Sequence, residues 1–367
     1  MLFQVSKARL GATAAIRTAE KTPQQCNSRP PDVYWLEVTN SKSSVRLKAM
    51  AKDIVAEERN PAAPAAAGGP VPPGVDGVMS RTVRVIGVLI ASLVVVAIAG
   101  GILRGSLGPH VGKAAVVSGM FLTQVILAAV LILLGSIVEG FGYGLSLGTH
   151  WPYTRNVFLL MLAGDPEAAH RLVATLVGLI GVALVVLAPS SATVNGLVLV
   201  IVAGIFGIGT LHVLAGRMPA FVHGMHGLLA YGVFLSYLTG LAIPGVQFWF
   251  YVKFTVALHS VLLAVLLGGM TTGQRGFCQP IGAFYRPRRI AHWTVAVHIV
   301  AALMVVGTLG WMMPAYPVAF YLSVAQIAVG FLLFQAVNLK PKNPGTIVAF
   351  HQSMVLLITV AIVVSLP

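Results

Sequence analysis

The chain has 367 residues, of which 57% are hydrophobic and only 9% are charged, and its formal net charge is +14. A soluble globular protein has about 25% charged residues, so this composition excludes that class. We therefore predict a polytopic membrane protein with an all-α fold, because a lone strand in lipid would leave its backbone groups without hydrogen-bond partners.

The first segment, residues 1–78, is polar and ends in a run rich in alanine, proline and glycine. Such a composition cannot bury an apolar core, so we expect a disordered segment or linker, or an extension outside the native protein if translation begins at Met79. Residues 79–112 follow as a separate unit. Their apolar run at 83–103 predicts an additional transmembrane helix.

Eight further apolar runs of about 20 residues follow, each long enough to cross a bilayer as a helix. They lie at residues 117–139, 169–189, 194–214, 220–243, 248–270, 290–312, 317–338 and 345–366. The chain is thus predicted to have nine spans.

An internal repeat divides the last eight spans into two halves. The glycine-rich segments 134–144 and 267–277 each end a span, and each is followed by a loop and a helix with a histidine near its start. We therefore predict two pseudo-repeated four-helix bundles, residues 113–243 and 244–367, in addition to the N-terminal helix.

Four histidines lie near the starts of corresponding spans: His170 and His226 in the first half, and His292 and His351 in the second. Counting crossings places all four near one membrane face. Histidine is costly inside a membrane without a polar partner or a metal, and neighbouring helices can direct two imidazoles at one centre. The pattern predicts two hemes with two axial histidines each. Zinc is the weaker alternative, because it favours four converging ligands.

Other histidines within the spans are predicted to have structural roles. A lone histidine within a span more often forms a structural hydrogen bond than binds a metal, and this class contains His212, His259 and His298. His223 lies three residues before His226 and competes with it as a ligand. Alignment of the two halves favours His226.

The membrane part, residues 79–367, contains three carboxylates, Glu139, Asp165 and Glu167, which all border the loop between the second and third spans. Asp165-Pro-Glu167 has the residue order of a helix N-terminus: a capping aspartate, a proline at the first position and an acid in the first turn. Glu167 also lies one turn before His170, which favours a chemical role. Both roles can hold together.

The sequence resembles the heme A synthase family over residues 117–366. Glu167-Ala-Ala-His170-Arg171 is similar to the family's Glu-x-x-His-Arg motif, and His226, His292 and His351 fall where its other histidines lie. Three departures stand beside this resemblance. The loop 147–155 lacks the cysteine pair of many members, a tryptophan follows His292 where the family has arginine, and the helix expected at 83–103 is additional.

This resemblance implies an enzyme that oxidises a methyl group of heme O to a formyl group by successive hydroxylation and dehydration. The N-terminal half would bind heme O as the substrate, and the C-terminal half would hold a heme b for electron transfer. Glu167 would be the catalytic carboxylate. Arg171 and Arg217 would contact the heme propionates.

The expected location is the cell membrane, with a prokaryotic plasma membrane favoured. The expected partners are the lipid bilayer, the farnesyltransferase that supplies heme O, and an electron donor or assembly factors of a terminal oxidase; no nucleic acid is expected. The excess of Lys and Arg on the histidine face favours a cytoplasmic position for that face. The resemblance implies the opposite orientation, so both remain open.

Other classes also remain open. A quinone-linked heme b cytochrome would typically carry two ligand histidines about 13 or 14 residues apart on one helix, and no predicted span shows that spacing. A non-catalytic heme carrier would need the histidines but not Glu167. A transporter without heme would need neither.

Overall fold

The computed structural model describes residues 112–149 and 157–365, and within these residues every regular element is a helix. The ten helices are α1 (Gly112–Gly140), α2 (Val157–Ala163), α3 (Pro166–Leu187), α4 (Ser191–Leu214), α5 (Phe221–Ala242), α6 (Phe248–Phe254), α7 (Val256–Arg275), α8 (Ile290–Trp311), α9 (Pro317–Leu339) and α10 (Ile347–Val364). The segment 1–78 and the expected span at 83–103 lie outside the described residues.

Eight of these helices are long and apolar enough to cross a membrane. They are α1, α3, α4, α5, α7, α8, α9 and α10. The sequence placed each of them to within a few residues, apart from α7. The chain is therefore a multi-pass membrane protein with an all-α fold.

The expected single helix at 248–270 is in fact two helices, α6 and α7, separated at Thr255. The aromatic helix α6 is held as a separate element by its buried residues Phe248 and Tyr251. The Phe248 amide also donates to the hydroxyl of Ser191 at 3.0 Å, which fixes α6 to the start of α4. Hydropathy alone does not detect such a break, because the residues on both sides of it are apolar.

The start of α3 has the expected cap. The Asp165 carboxylate accepts a hydrogen bond from the Ala168 amide at 2.8 Å, and Pro166 is the first residue of the helix. Burial raises the pKa of the Asp165 carboxyl above its usual value, although the Ala168 hydrogen bond opposes this shift. The capping interpretation of Asp165 is confirmed.

The long helices pack in two sets of four. In the first, α1 contacts α3 and α5, and α4 contacts the same two helices. In the second, α8 contacts α7 and α9, and α10 contacts α9 and α7. The two sets meet where α5 packs against α7 and where α1 packs against α10.

Glycines bring the two sets close together. A Cβ on Gly269 of α7 would lie 2.8 Å from the Cα of Gly224 on α5, so the two backbones nearly touch. At the other contact, the Gly345 amide donates to the Gly140 carbonyl at 2.8 Å. Small residues allow this approach between helices in a membrane. The Glu139–Arg275 ion pair adds a polar tie between α1 and α7.

Candidate functional site

His170 and His226 face each other within the first set of helices. Their ring centroids are 6.4 Å apart and their planes cross at 62°. His170 lies in the first turns of α3, and His226 lies in the first turns of α5. The structure therefore brings together the two histidines that the sequence assigned to the N-terminal half.

His351 has a partner of the same geometry in the second set, and that partner is His298. The ring centroids are again 6.4 Å apart, and the planes cross at 65°. The sequence had assigned His298 a structural hydrogen bond and had placed His292 opposite His351. Both histidines lie on α8, but only His298 is near His351.

His292 is held by the loop that precedes its own helix. Its Nε2 lies 2.9 Å from the Ile281 carbonyl, and its Nδ1 accepts from the Arg288 amide at 3.0 Å. Both ring nitrogens are therefore engaged by backbone groups, which leaves none for a metal. His292 fixes the loop 276–289 to α8 instead.

In three of the four paired histidines, Nδ1 donates to a backbone carbonyl on the neighbouring helix. His170 bonds to Leu131 at 3.1 Å, and the matching distances for His226 with Ala203 and His298 with Ala264 are both 3.0 Å. A carbonyl can only accept, so the ring proton lies on Nδ1. The lone pair on Nε2 is then free for a metal.

Each paired histidine also packs against a glycine on the neighbouring helix. That glycine lies four residues after the residue that hydrogen-bonds to Nδ1. A Cβ on Gly135 would lie 3.2 Å from Cε1 of His170, and one on Gly207 would lie 3.3 Å from Cε1 of His226. The second pair repeats this contact, with distances of 3.1 Å from Gly268 to His298 and 3.4 Å from Gly330 to His351. Each imidazole thus fills space that a larger residue would occupy.

The residues present fit an axial ligand set for heme. A metal–nitrogen bond is about 2.0 Å long, so two imidazoles on opposite sides of one ion have centroids roughly 6 Å apart. Both pairs have this separation. The anchored Nδ1 atoms orient the rings as hydrogen-bonded partners orient metal-bound histidines in general.

Glu167 is buried beside the first pair, where it is held by three donors. Its carboxylate pairs with Arg171 at 2.5 Å, and it accepts from the Ser146 hydroxyl at 2.9 Å and the Leu147 amide at 3.0 Å. Glu167 therefore ties the loop after α1 to the start of α3. Arg171 points at this carboxylate and is itself buried.

The other candidates lie apart from the pairs. Arg217 is exposed in the turn between α4 and α5. His223 lies where α5 contacts α7, and a Cβ on Gly273 of α7 would be 3.1 Å from the Cβ of His223. Its Nδ1 is buried and has no hydrogen-bond partner among the described residues. His226, and not His223, faces His170.

The four glycines and their contacts with the histidine rings were not predicted from the sequence. A glycine followed about 20 to 35 residues later by a histidine on the adjoining helix recurs in both pairs, and helix pairs of this length return to the same depth. No family model, curated protein or solved structure matches the chain.

Proposed function

We propose that the protein is a membrane heme protein with two bis-histidine sites, His170 with His226 and His298 with His351, and that it acts as a heme A synthase. The observation that carries the proposal is the recurring arrangement of the imidazoles: equal ring separations in the two pairs, a glycine against every ring, and in three of the four an anchored Nδ1. His298 takes the place that the sequence analysis gave to His292.

We also propose that the two sets of four helices are structural repeats, each of which holds one heme. The helix expected at 83–103 would be an addition to them. The contacts between the sets support this. If α1 corresponds to α7 and α5 corresponds to α10, the contact of α5 with α7 has its counterpart in the contact of α10 with α1. The four histidines lie in the part of the bundle where α3, α5, α8 and α10 begin, with His298 about two turns into α8.

The two sites differ in a way that favours different roles. Aligning His170 with His298 places Val295 where Glu167 stands and Ile299 where Arg171 stands. Only the first site therefore has an acid and a guanidinium beside its histidine. This favours heme O as the substrate of the first site and heme b as the resident cofactor of the second, where it would supply one-electron redox chemistry.

In this proposal Glu167 is the catalytic carboxylate, because it lies one helical turn before His170 and is the acid nearest to that histidine in the sequence. Arg171 fixes it in place through their ion pair. Arg217 is an exposed cation at the same end of the bundle and would contact a propionate. The farnesyltransferase that makes heme O and an electron donor would be the partners in the cell membrane.

A second candidate function, a non-catalytic heme carrier, is favoured by one observation. Both oxygens of Glu167 already have partners in Arg171, Ser146 and Leu147. A carboxylate engaged in this way can serve solely as a tie between the loop and α3. In that case the histidines would bind heme and Glu167 would stabilise the fold.

The two functions are separated by Glu167→Gln in cells that supply heme O. For the enzyme, we expect two hemes per chain in both proteins and a formyl-bearing heme in extracts of the unsubstituted protein only. Glu139→Gln is the matched control, because it also removes the acid of an ion pair whose arginine is buried, and that pair joins α1 to α7 instead of preceding His170. Extracted pigments are identified by chromatography and mass spectrometry.

Three results would count against the proposal. Unaltered formyl product in Glu167→Gln would remove the catalytic role of Glu167 and leave the enzyme with a different catalytic group. Heme bound without any formyl product in the unsubstituted protein would exclude the enzyme and leave the carrier. A purified protein without a Soret band would exclude both functions.

A further inference from the structure

The fourth histidine has an anchor unlike the other three. On α9, Gln326 stands four residues before Gly330, the position that Leu131, Ala203 and Ala264 occupy before their glycines. In those three cases the backbone carbonyl receives the imidazole proton. At His351 the partner is instead the side-chain amide of Gln326, whose Nε2 lies 3.0 Å from Nδ1.

This difference decides which nitrogen of His351 carries the proton. The amide nitrogen of Gln326 also donates to the backbone carbonyl of His351 at 2.9 Å. An amide nitrogen only donates, so Nδ1 must accept from it and the ring proton lies on Nε2. An imidazole protonated on Nε2 cannot offer that nitrogen to a metal.

The other end of the same amide is unsatisfied. Gln326 is 9% exposed, and its Oε1 has no hydrogen-bond partner among the described residues. A buried acceptor without a partner costs about 1 to 3 kcal/mol. Turning the amide by half a rotation would place Oε1 opposite Nδ1, where it would accept the ring proton and free Nε2. It would also bring Oε1 towards the His351 carbonyl, a contact between two acceptors.

We propose that Gln326 is a positioning residue that sets the tautomer of His351 by rotation of its amide, so that the second site has a two-state ligand that the first site lacks. This inference rests on the proposed heme function. In the ligand-free state the amide nitrogen faces the ring. When a metal is bound through Nε2, the amide oxygen faces it.

The rotation gives the two sites different electronic properties. A hydrogen bond accepted from Nδ1–H makes the imidazole a more basic ligand, and such bonds tune the reduction potential of a heme. The first pair has two fixed backbone acceptors, whereas the second has one fixed acceptor and one movable amide. Residue 326 therefore controls the potential of the second heme alone.

Two substitutions change this control in opposite directions. Gln326→Glu supplies an acceptor that needs no rotation, so the midpoint potential of one heme is expected to shift to more negative values. Gln326→Leu removes the acceptor, so the same heme is expected to shift to more positive values. Redox titration followed by visible and electron paramagnetic resonance spectroscopy measures both hemes in the full chain. The variant His170→Ala, which keeps the second site, identifies the heme that moves.

Gln124→Leu is the matched control. Gln124 is also a fully buried glutamine whose Oε1 lacks a hydrogen-bond partner among the described residues, and its Nε2 donates to the Val177 carbonyl at 2.6 Å. It anchors no histidine. Its substitution tests the loss of a buried amide by itself, and both potentials are expected to remain unchanged.

The outcomes separate this inference from the function on which it rests. Opposite shifts of one heme, with the other unchanged, support it. Potentials that are unaltered in both Gln326 variants, or that move equally in both hemes, overturn the inference. If two hemes are bound in that case, the proposed heme sites are still supported. Absence of heme from the unsubstituted protein overturns both. If Gln326→Glu does not fold, the shift in Gln326→Leu decides.

Discussion

A neutral imidazole offers one lone pair, and the partner of its protonated nitrogen decides where that lone pair points. This rule separates the two histidines of α8. His298 gives its Nδ1 proton to the Ala264 carbonyl and keeps Nε2, whereas His292 has both nitrogens on backbone groups of the preceding loop. Two residues of one type on one helix thus have different chemical capacities.

Substitution of these two histidines tests this distinction. We expect His298→Ala to lower the heme content from two per chain to one, because His351 loses the ligand opposite it. His292→Ala is expected to keep both hemes and to lower the thermal stability, because the loop 276–289 loses its tie to α8. The pyridine hemochrome assay gives heme per chain. Loss of heme in His292→Ala with retention in His298→Ala would reverse the assignment.

The glycines against the histidine rings can be tested in the same way. A Cβ on Gly207 would lie 3.3 Å from Cε1 of His226, whereas one on Gly204 of the same helix would meet nothing within 4 Å. We expect Gly207→Ala to displace the ring and to weaken heme retention in the first site. Gly204→Ala should retain the heme and add up to about 1 kcal/mol of stability from helix propensity.

The readout for the glycine pair is heme loss to apomyoglobin as a function of time. A faster loss of one heme in Gly207→Ala only is the expected result. Equal rates in the two alanine variants would show that the ring has room to move.

At the scale of helices, the contact between α5 and α7 holds the two sets together. Gly224 and Gly269 leave no space for a side chain between them. A methyl group there must push backbone away from backbone, and overpacking of this kind typically costs about 1 to 3 kcal/mol. The close approach of the two sets therefore depends on these small residues.

We expect Gly269→Ala to lower the melting temperature of the detergent-solubilised protein, with both hemes still bound at low temperature. Gly307→Ala on α8 is the control, because a Cβ there would meet nothing within 4 Å. Circular dichroism during heating measures the transition. A melting temperature in Gly269→Ala equal to that of the control would show that the contact tolerates a methyl group.

Hydropathy was sufficient to place the long helices, since each is an unbroken apolar run in a chain that cannot expose its backbone to lipid. It was not sufficient to find the break at Thr255 or the short helix α2, whose apolar residues look like any others in such a chain. The first histidine pair followed from its position at the helix starts. The second did not, because His298 lies deeper in α8 and its ring contact with His351 identifies it only in the structure.

At the scale of the whole molecule, exposed positive charge among residues 115–149 and 157–365 is concentrated at the histidine end. Arg286, Arg288 and Arg289 are exposed before α8, and Lys340 and Lys342 are exposed after α9. Lys253 is the exposed cation of α6, which lies one membrane crossing away from the loop after α7. Short loops rich in Lys and Arg usually remain in the cytoplasm.

This distribution predicts a cytoplasmic histidine end. Reporter proteins that are active on one side of the membrane only can be fused after residue 246 and after residue 285. We expect the fusion after 285 to report the cytoplasm and the one after 246 to report the opposite side. The reverse pattern would mean that the cations serve anionic ligands such as propionates and do not set the orientation.

The two sets of helices are joined covalently only through the stretch between α5 and α7, where Pro244, Gly245 and Gln247 are exposed. Each histidine pair lies entirely on one side of that stretch. A chain divided there would yield two fragments, each encoding a complete pair of ligands, and the glycine contacts would supply the surfaces for their reassembly. Neither pair of imidazoles therefore draws a residue from the other side of the covalent link.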